Sequence, residues 1–265
     1  MTYQTITATG SAAGVVELVL NRPEKKNALS GQMIAELTAF CDAARDRRDW
    51  RAVVLSGAGD VFCAGGDLEW MQAQMAADRE TRMAEARKLA MMLMALNTLP
   101  QPLIGLVHGG AYGGGVGLAA VCDLVIAAEG TRFGLTETRL GLIPATIGPY
   151  VIARMGEGRA RRVFMSARLF DTHTAETLGL VARTVAPSAL RDAGRDEAEA
   201  YLSTAPGAVA AAKALARRIG HGADQAMIDQ SIAALADVWE TEEARDGIAA
   251  FFDRRPAPWV PKTGH

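Results

Sequence analysis

The stretch from Pro102 to Asp123, PLIGLVHGGAYGGGVGLAAVCD, constrains this chain more than any other. Leu103 to Val107 is a short apolar run between Pro102 and the Gly109–Gly110 pair, the pattern of a buried strand. Gly113, Gly114, Gly115 and Gly117 follow, and then Leu118 to Val121, small and apolar enough to continue as a helix. A strand that breaks into glycines and feeds a helix leaves backbone N–H groups converging on one space, where they hold an anion or a polarised carbonyl. A purely structural reading stands beside this one: the glycines only let a helix pack close to a strand.

The flanking sequence sets that stretch in an alternating pattern. Val15 to Leu20 reads as a strand closed by Asn21-Arg22-Pro23, and Ser30 is placed to cap a helix from Gly31 to about Arg47. Met33, Ile34, Leu37 and Phe40 form the core-facing stripe of that helix. Ala52 to Leu55 is a continuous apolar strand of the kind covered on both faces. It runs into a second glycine turn, SGAGDVFCAGGDLEWM, where Asp67 is placed to cap a helix starting at Leu68. A Met-rich helix follows over about 79–99, ended by Pro100 and Pro102, and Asp123 to Ala128 is a further buried strand. Strand and helix thus alternate over 15–128, which predicts an α/β fold with parallel strands and covering helices. Beyond that point strand signals fade. Helices are expected over 158–165, 172–178, 187–205, 207–219, 224–239 and 240–253. The expected organisation is a core over residues 1–200 and a helical C-terminal region over 201–265.

Composition excludes several classes of function. With 28 basic against 30 acidic residues the chain has no global basic field for nucleic acid. No apolar run approaches the ~20 residues that span a bilayer. The N-terminus has neither a basic start nor an apolar core, so a cytoplasmic location is expected. Cys41, Cys63 and Cys122 show no metal-ligand spacing and read as reduced structural thiols. Of the four histidines, His221 falls in a Gly-flanked turn and His265 is C-terminal, which leaves little material for a histidine triad or a metal cluster.

The two glycine turns, Cys63-Ala64-Gly65-Gly66-Asp67 and Gly113-Gly114-Gly115, are able to point N–H groups at one oxygen. Each such donor stabilises a developing oxyanion by about 3 kcal/mol. No Lys-Ser or Lys-Thr follows the glycines, so neither turn is a P-loop, and the spacing of a dinucleotide fingerprint is absent.

Four motifs together carry a resemblance over essentially the whole chain: NRPEKKNALS at 21–30, SGAGDVFCAGGDL at 56–68, VHGGAYGGGVGLAAVCDL at 107–124 and FGLTETRLGLIP at 133–144. In order and spacing they resemble the enoyl-CoA hydratase/isomerase (crotonase) superfamily. The resemblance implies a spiral of ββα turns with a helical trimerisation region, homotrimers or hexamers, an acyl-CoA thioester substrate, and no metal or redox cofactor. It implies that the N–H groups of Ala64 and Gly114 hold the thioester oxygen. Gly65, Gly66, Asp67 and Leu68 line up with the turn beside CoA, and Lys25, Lys26 and Arg254 with cations near it. Surface charge is the alternative for those three cations. Trp70, Met71, Tyr112 and Ile143 are expected to shape the acyl pocket. Arg82, Arg87, Tyr112 and Thr146 are candidates to meet a distal carboxylate.

The chain departs from the hydratase pattern at the acids. Where hydratases of the family carry a first glutamate there is Gly117, and only the second, Glu137, is present. A carboxyl between apolar segments has its pKa raised by desolvation, which suits proton transfer near neutrality; a helix-start residue or an ion-pair partner for Arg139 is the plain alternative. The stretch after Glu137 resembles the branch that hydrates methylglutaconyl-CoA and related branched glutaconyl-CoA esters. Ala145-Thr146-Ile147-Gly148-Pro149-Tyr150 replaces the run of glycines then Thr-Gln usual in hydratases. The expected function is hydration of a branched or dicarboxylic 2-enoyl-CoA. Migration of a double bond from C3 to C2 is the alternative, and a non-catalytic acyl-CoA-binding member is a third. A thioesterase or dehalogenase needs a basic or nucleophilic Asp near the glycines, and none is well placed, since Asp123 begins a buried strand.

Overall fold

The computed structural model describes residues 2–220 and 222–260; His221 and His265 lie outside the described residues. Among the described residues the strands are β1 (Ile6–Gly10), β2 (Val15–Leu20), β3 (Ala52–Gly57), β4 (Leu103–Val107), β5 (Gly110–Tyr112), β6 (Leu124–Ala128), β7 (Arg132–Gly134) and β8 (Arg183–Val185). The first helices are α1 (Gly31–Ala44), α2 (Leu68–Ala76), α3 (Arg79–Asn97), α4 (Gly114–Val121), α5 (Gly148–Met155) and α6 (Glu157–Phe164). Those that follow are α7 (Thr172–Thr177), α8 (Leu190–Glu199), α9 (Pro206–Ile219), α10 (Gln225–Trp239) and α11 (Glu242–Phe252).

Six strands form one sheet in the order β1-β2-β3-β4-β6-β8, and β5 pairs with β7 in a second, small sheet. β1 runs antiparallel to β2, and every other pair is parallel. The central strands are apolar on both faces because both are covered. One face, with Leu18, Val53, Leu55, Leu103 and Val107, packs into a core shared with α1, α3 and α4. The other, with Val54, Ile104, Leu106 and Ile126, meets α8. The alternation expected over 15–128 is therefore observed as a mixed α/β fold. Four strands carry too little apolar pattern to be read. β1 is an edge strand exposed from Thr7 onward, and β5, β7 and β8 are three residues each. The expected helix over 187–205 is shorter, a 3₁₀ turn over Pro187–Ala189 followed by α8. α10 packs on α3, and α11 packs on a 3₁₀ turn, Glu137–Leu140.

Candidate active site

The site is built from three loops that β2, β3 and β5 deliver to one place. The loop after β2 is set by Asn27, fully buried with φ 54°. Its side-chain amide donates to the carbonyls of Ala58 and Val61, and its Oδ1 accepts from the Arg22 N–H. Arg22 in turn donates to the Ala28 carbonyl and to Asp67 Oδ2, both at 2.8 Å. Asp67 caps α2 by accepting from the Glu69 N–H, as its place before Leu68 predicts. Burial alone pushes the Asp67 carboxyl up, but the Arg22 hydrogen bond, the backbone donors and the Arg22 charge outweigh it and hold the pKa low. The Arg22–Asp67 pair thus fastens the first loop to the first glycine turn.

That turn lies between Leu29 and β5. Leu29 donates to the Gly65 carbonyl at 2.7 Å and accepts from the Asp67 N–H at 3.1 Å, a parallel bridge with Gly66 at its centre. In such a bridge the N–H of the central residue points away from its partner, so the Gly66 N–H is turned away from Leu29. On the far side Cys63 bridges to Ala111. Gly65 has φ +95°, and a Cβ there would lie 2.8 Å from the Tyr112 carbonyl oxygen and 3.7 Å from the Gly114 nitrogen, so only glycine lets the two turns approach. Gly114 is the first residue of α4, where the N–H has no intrahelical acceptor.

This arrangement corrects one expectation. The Ala64 N–H donates to the Lys26 carbonyl at 2.9 Å, which commits it to the loop after β2. Among the described residues the N–H groups of Gly66 and Gly114 have no hydrogen-bond acceptor. Gly66 and Gly114 are thus among the amides left open to a ligand, and Ala64 is not. The reason is the positive φ of Gly65, which turns the chain between Ala64 and Gly66.

Glu137 opens the 3₁₀ turn Glu137–Leu140. Its Oε1 lies 3.1 Å from the position of a Cβ on Gly113, against the second glycine turn. Its Oε2 is buried and has no hydrogen-bond partner among the described residues. Burial pushes the carboxyl from 4.5 up to about 7, against a smaller pull from its own backbone amide. It forms no ion pair with Arg139. α11 holds the turn from behind: a Cβ on Gly247 would lie 2.6 Å from the Leu140 carbonyl carbon and oxygen, and one on Gly141 would lie 2.4 Å from the Glu243 carbonyl oxygen.

The remaining expected residues divide. The Trp70 indole lies 3.9 Å from the Cβ position of Gly66 and donates toward Glu85 Oε2 at 3.4 Å. Leu68 is exposed, Met71 and Ile143 are half-buried, and Thr146 is buried. The Tyr112 ring packs over Gly110 and beside Gly134, along the small sheet. Lys25 pairs with Glu69 at 3.0 Å, Lys26 is exposed, and Arg254 follows α11 with φ 54°. Arg82 and Arg87 have partners of their own. Arg82 donates to the carbonyls of Gln74 and Met75 and lies over the Trp239 ring, and Arg87 pairs with Asp229 of α10 at 2.6 Å. A groove of about 580 Å³ lies elsewhere, across the sheet face that carries Val19 and Val54, rimmed by His108, Arg191 and Arg195; none of the expected site residues lines it.

Open amides on two glycine turns, with a partnerless carboxyl against the second, are groups able to meet a polarised carbonyl oxygen and to carry a proton. The profile of the enoyl-CoA hydratase/isomerase family matches residues 10–262. The chain belongs to the enoyl-CoA hydratase/isomerase family. It is 33% identical over 245 residues to a putative enoyl-CoA hydratase of Thermus thermophilus, covering 91% of this chain and 96% of that one. Among solved structures, an enoyl-CoA hydratase from Shewanella pealeana is similar at 35% identity and TM-score 0.79, covering 97% of this chain and 96% of that one. AtuE of Pseudomonas aeruginosa is similar at 39% identity and TM-score 0.80, covering 97% of this chain and all of that one (100%). Membership makes this an acyl-CoA enzyme of that family.

Two features of the site carry no local signal in the sequence. Arg22 looks like a loop cation until Asp67 is seen beside it. Ile147, next to the expected Thr146, is the residue that meets Gly117: a Cβ on Gly117 would lie 2.6 Å from Ile147 Cγ2.

Proposed function

We propose that this chain hydrates a branched or dicarboxylic 2-enoyl-CoA of the 3-methylglutaconyl-CoA kind, with Glu137 as its single protein acid and base. The buried Oε2 of Glu137 without a partner, beside the second glycine turn, carries this reading. The Gly66 and Gly114 amides hold the thioester oxygen, so that negative charge arriving there as C3 is attacked is met by two donors. Ionised Glu137 takes one proton from the attacking water, whose oxygen bonds to C3, and returns a proton to C2. With no second protein carboxylate at position 117, the substrate's own distal carboxylate helps to hold the water. Thr146 and Tyr112 are its proposed partners.

The turn Gly65–Leu68 runs beside CoA, with Lys25, Lys26 and Arg254 meeting its charged parts and Trp70, Met71 and Ile143 walling the acyl group. Beyond the CoA carried by the substrate, no cofactor or metal takes part. A cytoplasmic homotrimer, or a hexamer of two trimers, belongs to the same proposal, and sedimentation of the purified protein tests it. A second reading is favoured by the contact of Ile147 with the Gly117 position, which puts an apolar group where hydratases carry an acid. In it Glu137 removes a proton from C2 of a 3-enoyl-CoA and delivers it to C4, with no water consumed. Purified protein offered 3-methylglutaconyl-CoA and a 3-enoyl-CoA separates the two. Water uptake with the first supports hydration, and double-bond migration alone rejects it. Acyl-CoA binding without turnover of either, and with Glu137→Gln unchanged, rejects both.

A further inference from the structure

Gly117 lies one turn beyond Gly114 on α4, at the i, i+3 spacing that puts two positions on neighbouring parts of one helix face. The direction in which a side chain would leave it is closed. A Cβ built there meets Ile147 Cγ2 at 2.6 Å, Ile147 Cβ at 3.1 Å and Leu93 Cδ1 at 3.4 Å. Ile147 is 3% exposed and Leu93 0%. Ile147 is also held at its backbone, since its carbonyl accepts the N–H groups of Tyr150 and Val151 at the start of α5. Ten residues earlier the same segment begins at Glu137, whose carbonyl accepts the Leu142 N–H. A β-branched side chain on a fixed backbone has little rotamer freedom, so Ile147 does not swing aside as a long flexible chain would.

We propose that Ile147 is a specificity-determining residue: by filling the volume beside Gly117 it keeps a second proton-carrying group, and any water such a group would hold, out of the pocket. The inference rests on the role given above to Glu137. A water held for attack needs two or more polar partners. The Ile147 and Leu93 side chains offer none, and Glu137 offers one. A substrate that brings its own carboxylate supplies the missing partner; a straight-chain 2-enoyl-CoA does not. Ile147 therefore disfavours addition of water to simple 2-enoyl-CoA esters while leaving proton transfer by Glu137 intact. In the hydration at issue the water oxygen bonds to C3, one water proton goes to a protein carboxylate, and a proton reaches C2, so the elements of water are added without any further reactant.

The test is a reciprocal exchange. Gly117→Glu in the presence of Ile147→Gly places a carboxylate where the sec-butyl group stood. With but-2-enoyl-CoA, hydration by this double variant is expected to exceed that of the unmodified protein and of either single variant by about 100-fold. Its kcat/KM is expected to gain a second ionisation in the pH profile, which a packing role alone would not produce. A double variant that folds and shows neither gain overturns the proposal, and so does Ile147→Gly alone matching the double. A milder pair reads the packing without substrate. Gly117→Ala is expected to lower Tm, and addition of Ile147→Ala to raise it again; purely additive losses overturn the proposal. Glu137→Gln in the unmodified background keeps the two readings apart. If it retains turnover, the role of Glu137 fails whatever the exchange shows.

Discussion

Glu137→Gln tests the site through stability as well as rate. Burial raises the Glu137 carboxyl from 4.5 to about 7. Between those values the folded protein keeps a proton that the unfolded chain has released. The unfolded state therefore binds fewer protons, and stability falls as pH rises through this window. At about 1.4 kcal/mol per pH unit, the cost of keeping the ionised carboxylate buried reaches about 3 kcal/mol at pH 8, against about 1 kcal/mol at pH 5. Gln has nearly the same shape and never ionises, so it escapes that cost. Relative to the unmodified protein, Glu137→Gln is expected to gain about 2 kcal/mol of stability on going from pH 5 to pH 8, or about 4–8 °C in Tm. Paired thermal scans at the two pH values read the difference, and the same preparations are assayed for turnover, which is expected to fall by at least about 100-fold. A stability difference that is the same at both pH values refutes the reasoning, because it would mean that the carboxyl is solvated and its buried oxygen is not the proton carrier.

The rate itself should carry the same signature: with ionised Glu137 as base, kcat/KM falls about tenfold per unit below pH ~7, measured with a saturable enoyl-CoA at constant ionic strength. Arg22→Ala leaves Asp67, with a side chain only 6% exposed, beside an empty partner position. It should cost about 3 kcal/mol or more in chemical denaturation and loosen the first glycine turn. Gly65→Ala forces a Cβ to 2.8 Å from the Tyr112 carbonyl oxygen at φ +95°. It should separate the two amides and lower kcat by about 100-fold with a smaller change in acyl-CoA affinity measured by calorimetry. Gly247→Ala drives a Cβ to 2.6 Å from the Leu140 carbonyl group, so it should lower both Tm and kcat although residue 247 is far along the chain from the acid.

What could be read from the sequence followed local rules. The Asp67 cap of α2, the Ser30 cap of α1 and the buried stripe Met33, Ile34, Leu37, Phe40 depend only on residues a few positions apart, and each is found as expected. The long-range placements were not legible. β1 pairs with β2 through Thr, Ala and Gly residues that face solvent, so no apolar alternation marks it. The choice between Ala64 and Gly66 as donor depends on one dihedral, the positive φ of Gly65, and on a bridge to Leu29, 37 residues earlier in the chain. Likewise the partners of Arg82 and Arg87, Trp239 and Asp229 of α10, lie far along the chain and leave no local signal.

The site is defined less by which polar groups it contains than by which of them the fold leaves without a partner. Around the two glycine turns five backbone donors are spent: Cys63 on Gly110, Ala64 on Lys26, Asp67 on Leu29, Tyr112 on Cys63 and Gly113 on Gly134. Asp67, the carboxylate of the first turn, is spent on Arg22 and the Glu69 amide. Each of those bonds contributes modestly to stability, but together they fix the loops so that the Gly66 and Gly114 amides and Glu137 Oε2 are held open rather than collapsing onto one another. An unpartnered buried donor or acceptor costs about 1–3 kcal/mol. Glu137 Oε2 is such a group, and it persists because the surrounding pairs leave it no donor; the Gly66 and Gly114 amides are not buried. Rigid open donors are what oxyanion stabilisation requires, since no reorganisation is then needed as charge develops. A desolvated carboxyl titrating near neutrality is what a lone proton carrier requires. Both follow from the same close approach of the turns, which Gly65 permits and Gly247 supports from behind the acid.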